Sequence, residues 1–348
     1  MVFCKRKSRE NFNFMIQGKV LEIVDTYAYL GVVFKYNGTF TETRKKLVEQ
    51  AQKALYYIYK LIRNESIPID VQLKMFDSMI QPILLYGSEV WGYENVKIIE
   101  QIHLKFCKRI LKVRNTTPSF MVYGELGRNP LEISVKLRMV SFWNKLVVNE
   151  NKLSSLLYRL MIRLKNSQNV NFKWINFVES IFNETGMSYI FSNQIAFYDK
   201  ALLKQVLLDQ FIQKWYSELY STSRGQFYSI FKKDFELENY LRRLPESLRI
   251  WITKFRLSNI RLPIEIGRWY NISKEQRMCN FCRESIGDEY HILFICQNEN
   301  IVQLRNKYIP VYYRNNPNAS KMKGMLSMCN TILYKKLSIF IKKIASLL

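Results

Sequence analysis

Hydrophobic and polar positions change period along the 348 residues. In residues 1–40, short runs rich in aromatic and β-branched side chains (VFC, NFNFMI, KVLEIV and YAYLGVVF) are separated by turn formers, which predicts strands. Gln17-Gly18 and Asn37-Gly38 supply the turn signals. From Thr41 the period becomes helical: Leu47, Val48, Ala51, Ala54, Leu55 and Ile58 return to one face, ending near Arg63-Asn64. Pro68 opens a second helix at a first-turn position, and Pro82 bends or ends it. Residues 94–114 give the clearest helix, with Ile99, Ile102, Phe106, Ile110 and Val113 on one face and Lys105, Lys108, Arg109 and Lys112 on the adjoining one. Helical spacing resumes after Asn129-Pro130 to about residue 165, and residues 170–260 read as several further helices without recognisable chemistry. Residues 331–347 are again helical, with Leu333, Leu337, Phe340, Ile341 and Ile344 opposite Lys335, Lys336, Lys342 and Lys343. The expected fold is mainly α: a small β element over 1–40, helical segments over 41–150 and 151–270, a compact module over 271–300 and a basic helical tail over 301–348.

Composition makes this a folded chain, since 48% hydrophobic residues with only 12 Gly and 8 Pro leave ample core material. No apolar run reaches the ~18 residues a membrane span needs, and MVFCKRKSRENF lacks the apolar stretch of a signal peptide. That excludes a membrane partner and places the chain inside the cell. Charge adds more: 53 Lys+Arg against 29 Asp+Glu gives +24. Such a surface attracts polyanions, of which RNA and DNA are the commonest in a cell. The lysines of 331–347 fit either a phosphate-binding stripe or a solvated surface.

The six cysteines are distributed unevenly, with Cys4, Cys107 and Cys329 single and Cys279, Cys282 and Cys296 close together. That pattern suits a reducing compartment, and Cys107 reads as a small buried hydrophobe. Cys279-x2-Cys282 is a knuckle whose thiolates reach one ion from a single turn, and His291 and Cys296 come after a turn at Gly287-Asp288. Three sulfurs and one imidazole complete a tetrahedron with no open position, which predicts a structural Zn2+. His291 and Cys296, five apart, share a helical face only if the helix loosens or ends there. Arg277, Phe281, Arg283 and Tyr290 stand around this module as candidate nucleic-acid contacts. The other histidine, His103, reads as an ordinary helix residue.

ILLYGSEVWG (83–92), MVYGELGRNPL (121–131), FRLSNIRLPIEIGRW (255–269) and the C-x2-C-x8-H-x4-C spacing of 279–296 resemble, in this order, the C-terminal half of LINE-type, non-LTR retrotransposon reverse transcriptases. The opening residues MVFCKRKSRENFNFMIQGKVLEIVDTYAYLGVVF are similar to the segment just after the catalytic palm in that family. The resemblance implies palm-end strands over 1–40, a thumb over 41–150 that holds template–primer duplex, and a nucleic-acid-binding CCHC module near the end. Arg44, Lys45, Lys105, Lys108, Arg109, Lys112 and the four lysines of 331–347 are then candidate phosphate contacts, inferred from their faces rather than carried over from the family.

Polymerase chemistry needs aspartates holding two Mg2+ ions, and no Asp-Asp pair occurs; the first aspartate is Asp25. After Cys296 there is no Asp and one Glu, Glu299, so clustered carboxylates for an endonuclease are also missing. The reading is therefore a nucleic-acid-binding fragment that is not an enzyme as it stands, working in the nucleus rather than the cytoplasm. The alternatives are the non-catalytic part of a complete RNA-directed DNA polymerase, whose palm is separate, and a protein-interaction or decayed remnant.

Overall fold

A computed structural model describes residues 14–65, 67–149, 151–327 and 330–348. The expected strand VFC lies outside them, as do Cys4 and Cys329. The described residues are mainly helical, 65% helix against 5% strand. It divides into two compact units, one of 1–67, 71–103 and 130–209, the other of 68–70, 104–129 and 210–348. This division cuts across the expected segments, because 104–129 folds with the C-terminal half of the chain rather than with the rest of 41–150.

The first unit opens with two hairpins. Strands β1 (Met15–Ile16) and β2 (Lys19–Val20) pair antiparallel across Gln17-Gly18, both at positive φ. Strands β3 (Thr26–Tyr29) and β4 (Val32–Lys35) pair in register from Thr26↔Lys35 to Tyr29↔Val32. The run YAYLGVVF is thus two strands, turned at Leu30 and Gly31, with φ 45° and 83°. Two consecutive left-handed residues match the right-handed twist of a tight hairpin. The Tyr86 hydroxyl donates to Leu30 O at 2.7 Å, tying that turn to the ILLYGSEVWG string. Within the same string Gly87 is left-handed (φ 66°), and the Trp91 indole donates to Tyr86 O at 2.8 Å.

The helix Thr41–Asn64 buries Leu47, Val48, Ala51, Leu55 and Ile58, as the period requires. The next helix starts at Ile69, loosens into a π turn over Phe76–Ile80 and continues as Gln81–Leu84. The wide turn leads into Pro82, whose missing N–H cannot continue a regular ladder. His103 is fully buried, stacked 5.0 Å from Phe76 with its Nδ1 2.9 Å from Glu100. An aromatic centre forms where Trp143 meets Phe182 at 4.7 Å and Phe191 at 5.9 Å. Its indole N–H is satisfied by the Tyr158 hydroxyl at 2.7 Å, which donates in turn to Gln194.

The second unit is organised around buried charge. Glu125 and Arg256 are both fully buried, and Arg256 Nε lies 2.6 Å from Glu125 Oε1. The hydroxyls of Tyr240 and Tyr228 donate to the same carboxylate at 2.6 and 3.0 Å. Arg256 also reaches Glu238 at 3.1 Å, and Glu238 pairs with buried Lys232 at 2.6 Å. Two acids against two bases leave the network neutral, the condition for ion pairs to survive burial. The pair joins MVYGELGRNPL to FRLSNIRLPIEIGRW, two of the four resembling strings. The helix Thr331–Leu347 is capped by Asn330 and packs on the helix Glu246–Arg256, where Ser338 Oγ donates to Leu248 O. No helix of the described residues is long and apolar enough to cross a membrane.

Candidate metal centre

Residues 277–296 fold so that four donor atoms converge. Met278 and Ile286 bridge antiparallel, closing a loop that carries the first ligand pair. Inside it Arg283 takes a left-handed turn (φ 59°), donating its N–H to Cys279 O at 3.0 Å. The Phe281 N–H points at Cys279 Sγ, 3.4 Å away, and Cys279 N–H donates to Ser285 O at 2.8 Å. The expected turn at Gly287-Asp288 has another form: Asp288 Oδ1 accepts the His291 N–H at 2.8 Å, capping a new helical turn. Gly287 is needed for close approach, since a Cβ there would lie 2.7 Å from Pro263 Cγ and 2.9 Å from Cys279 Cα.

His291–Ile295 is a π turn, and Cys296 N–H donates to His291 O at 2.9 Å before the chain turns extended. The wider pitch brings residues five apart onto one side, which is the loosening the spacing demands. Cys279, Cys282, His291 and Cys296 thereby hold their ligand atoms within 4.8 Å of one another. Cys279 Sγ and Cys296 Sγ are 3.9 Å apart, and Cys282 Sγ is 3.3 Å from His291 Nε2. Metal–sulfur and metal–nitrogen bonds of about 2.3 and 2.0 Å, spread tetrahedrally, place such pairs roughly 3.5–3.8 Å apart. The donor set and its spacing are compatible with a structural zinc.

The electrostatics fit a cation. Burial and the neighbouring Cys279 and Cys282 push the Cys296 thiol up to about 12, a conflict that a divalent ion among the sulfurs removes. Burial opposes ionisation of Cys282, but hydrogen bonds from the backbone at Glu284 and Ser285 hold its thiol below the usual value. Desolvation lowers His291, favouring the neutral ring whose Nε2 lone pair binds metal. Three further side chains support the ligands; Ser285 and Arg305 carry no signal in the sequence, and Asp288 is legible there only as a turn residue. Ser285 Oγ sits 2.8 Å from His291 Nδ1 and fixes the ring, and Asp288 caps the ligand turn. Buried Arg305 donates to Cys296 O and Ile292 O at 2.9 and 3.3 Å. Of the flanking residues, Arg277 donates all its bonds to Ile264 O and Ile272 O, and Tyr290 donates to Pro317 O.

The basic candidates divide by exposure. Lys45, Lys105, Arg109, Lys112, Lys335, Lys336, Lys342 and Lys343 stand at the surface. Lys108 does not: it is buried and its Nζ donates to Asn115 O, closing the end of the helix Lys97–Ile110. Arg44 is committed to Glu94 and to Asn95 O. Lys45 and Lys112 pair with Glu42 and Glu246, each at 3.3 Å.

Fold and site together define a mainly helical protein in which a Cys3His cluster lies within metal-binding distance. No family model, curated protein or solved structure matches the chain. Its functional reading therefore rests on its own residues.

Proposed function

We propose that this chain is a nucleic-acid-binding part of a non-LTR reverse transcriptase lineage, clipped by a structural zinc and carrying no polymerase or endonuclease chemistry. The observation that supports it most is the helix Thr331–Leu347. Lys335, Lys336, Lys342 and Lys343 are exposed there, no carboxylate lies on the helix, and the chain's charge is +24. A row of lysines without acids attracts phosphates and reads no sequence. Lys105 and Arg109 add a second exposed basic face. Zinc's part is structural: it fixes the 277–296 loop, and its full shell leaves no position for substrate. A nucleic-acid partner of this kind puts the protein's work in the nucleus.

Fluorescence anisotropy with labelled RNA and DNA across a salt series tests the reading. Release of one counterion per neutralised phosphate gives a slope of about −3 to −4 in log K against log salt if four lysines engage. Binding indifferent to salt would sink it. A second reading, the non-catalytic part of a complete RNA-directed DNA polymerase, is favoured by the exposed hairpin residues Tyr27, Tyr29 and Leu30 (55%, 59% and 73% exposed), which a separate palm would cover. Primer extension by the chain alone is expected to be absent, and robust extension would overturn the non-catalytic assignment.

A further inference from the structure

Two adjoining hollows in the second unit share Arg224 and Arg268. The first, of about 280 Å3, also carries Arg114, Asn259, Glu265 and Trp269; the second, of about 630 Å3, adds Lys274 and Arg277. Five cations and a single carboxylate therefore line one continuous concave surface.

Several of these donors are not used up by the fold. Arg114 gives its Nε to Asn259 Oδ1 at 3.3 Å and its Nη2 to Ile260 O at 3.4 Å, leaving Nη1 buried without a hydrogen-bond partner. Arg268 Nη2 donates to Ser223 O, while its buried Nη1 makes no hydrogen bond and lies 3.4 Å from Glu265. Arg224 is exposed, and its guanidinium neither hydrogen-bonds to nor lies within ion-pair distance of any described residue. Burial pushes Glu265 up, weakening the one negative charge in the hollow. Beside these donors the Arg114 guanidinium lies 4.6 Å over the Trp269 ring, and Trp269 remains 50% exposed. A buried donor without a partner costs free energy unless a ligand fills it.

We propose that this hollow holds one unpaired nucleotide of a nucleic-acid strand, its phosphate on Arg224 and Arg268 and its base stacked on Trp269. A lone anion would use the guanidinia and leave the indole idle. A base in duplex would have no face free to stack. The inference rests on the nucleic-acid reading above and adds what that reading lacks, a place for a single strand. The hollow sits beside the metal module: Arg277 lines it two residues before Cys279.

The test uses the full-length chain, a labelled single-stranded oligonucleotide of about a dozen residues and a duplex of about twenty base pairs, with Arg224→Ala, Trp269→Ala and Trp269→Phe. Arg224→Ala and Trp269→Ala are each expected to weaken single-strand binding about tenfold and to leave duplex binding within about twofold. Trp269→Phe, which keeps a ring, should recover most of the loss. The Arg224 guanidinium makes no hydrogen bond or ion pair among the described residues, so its variant should melt close to the parent, and that keeps the test valid if Trp269→Ala misfolds. Unchanged single-strand affinity in Arg224→Ala, with the parent binding both nucleic acids, overturns the hollow and leaves the general reading standing. A parent that binds neither strand nor duplex overturns both. Displacement of the single strand by a poly-glutamate peptide as readily as by unlabelled oligonucleotide would assign the hollow to acidic protein instead.

Discussion

Replacing Glu125 by Gln removes one charge from a buried network and leaves Arg256 short of its closest carboxylate. Arg256 is fully buried; it would keep Glu238 at 3.1 Å and Leu326 O but lose the 2.6 Å bond from its Nε to a carboxylate. The Tyr228 and Tyr240 hydroxyls, which both donate to Glu125, would face an amide that accepts on only one side. Breaking a buried pair from one side costs about 3–5 kcal/mol, because an uncompensated charge stays behind. At about 2–4 °C per kcal/mol for a unit of this size, the second unit should melt roughly 6–20 °C lower. Calorimetry resolves this even if the two units unfold separately. A fall under about 2 °C would refute the claim that Glu125 neutralises Arg256. The pH dependence adds a check. Burial raises the Glu125 carboxyl, but Arg256 more than offsets it and holds the group below its ordinary value of 4.5. A depressed folded value means the stabilisation is complete above the unfolded value and is lost as pH falls through the folded one. The gap between parent and Glu125→Gln should therefore stay level from about pH 7 to 5 and close only in stronger acid.

Gly92→Ala would put a Cβ 2.4 Å from both Ser88 O and Val135 Cγ1, so urea unfolding of the first unit should show a loss of about 1–3 kcal/mol or more. Ser285→Ala removes the hydroxyl 2.8 Å from His291 Nδ1; competition against a zinc chelator should show affinity falling about 10–100-fold with stoichiometry unchanged at saturation. Lys105→Ala/Arg109→Ala should weaken duplex binding and flatten its salt slope, whereas Lys108→Met, at a buried position, should leave both as they are in anisotropy titrations.

Much of this was legible because local chemistry and tertiary demand coincide. Gln17-Gly18 turns where its residues predict, and the helix Thr331–Leu347 buries the five apolar residues its period assigns. The five-residue gap from His291 to Cys296 called for a loosened helix, and the π turn supplies it. Other features left no local trace. Leu30 is apolar and sits at φ 45°, so YAYLGVVF read as one strand although it is a hairpin. Lys108 shares a helical face with Lys105 and Arg109, yet Asn115 O draws its amine inward once the chain turns back after Lys112 (φ 54°). Glu125 and Arg256 lie 131 residues apart, and no periodicity connects them. The metal module also differs from a loop that folds by metal alone: Ile292 and Leu293 are fully buried, so packing supports the ligand turn from beneath. Metal removal should then loosen this module without unfolding the whole unit.

The most direct measurement is the zinc content of the purified full-length chain beside that of the Cys279→Ser/Cys282→Ser variant. The four-ligand cluster predicts about one zinc per chain in the parent and almost none in the variant. Undiminished zinc in the variant, or none in a freshly purified parent kept reduced, would contradict it.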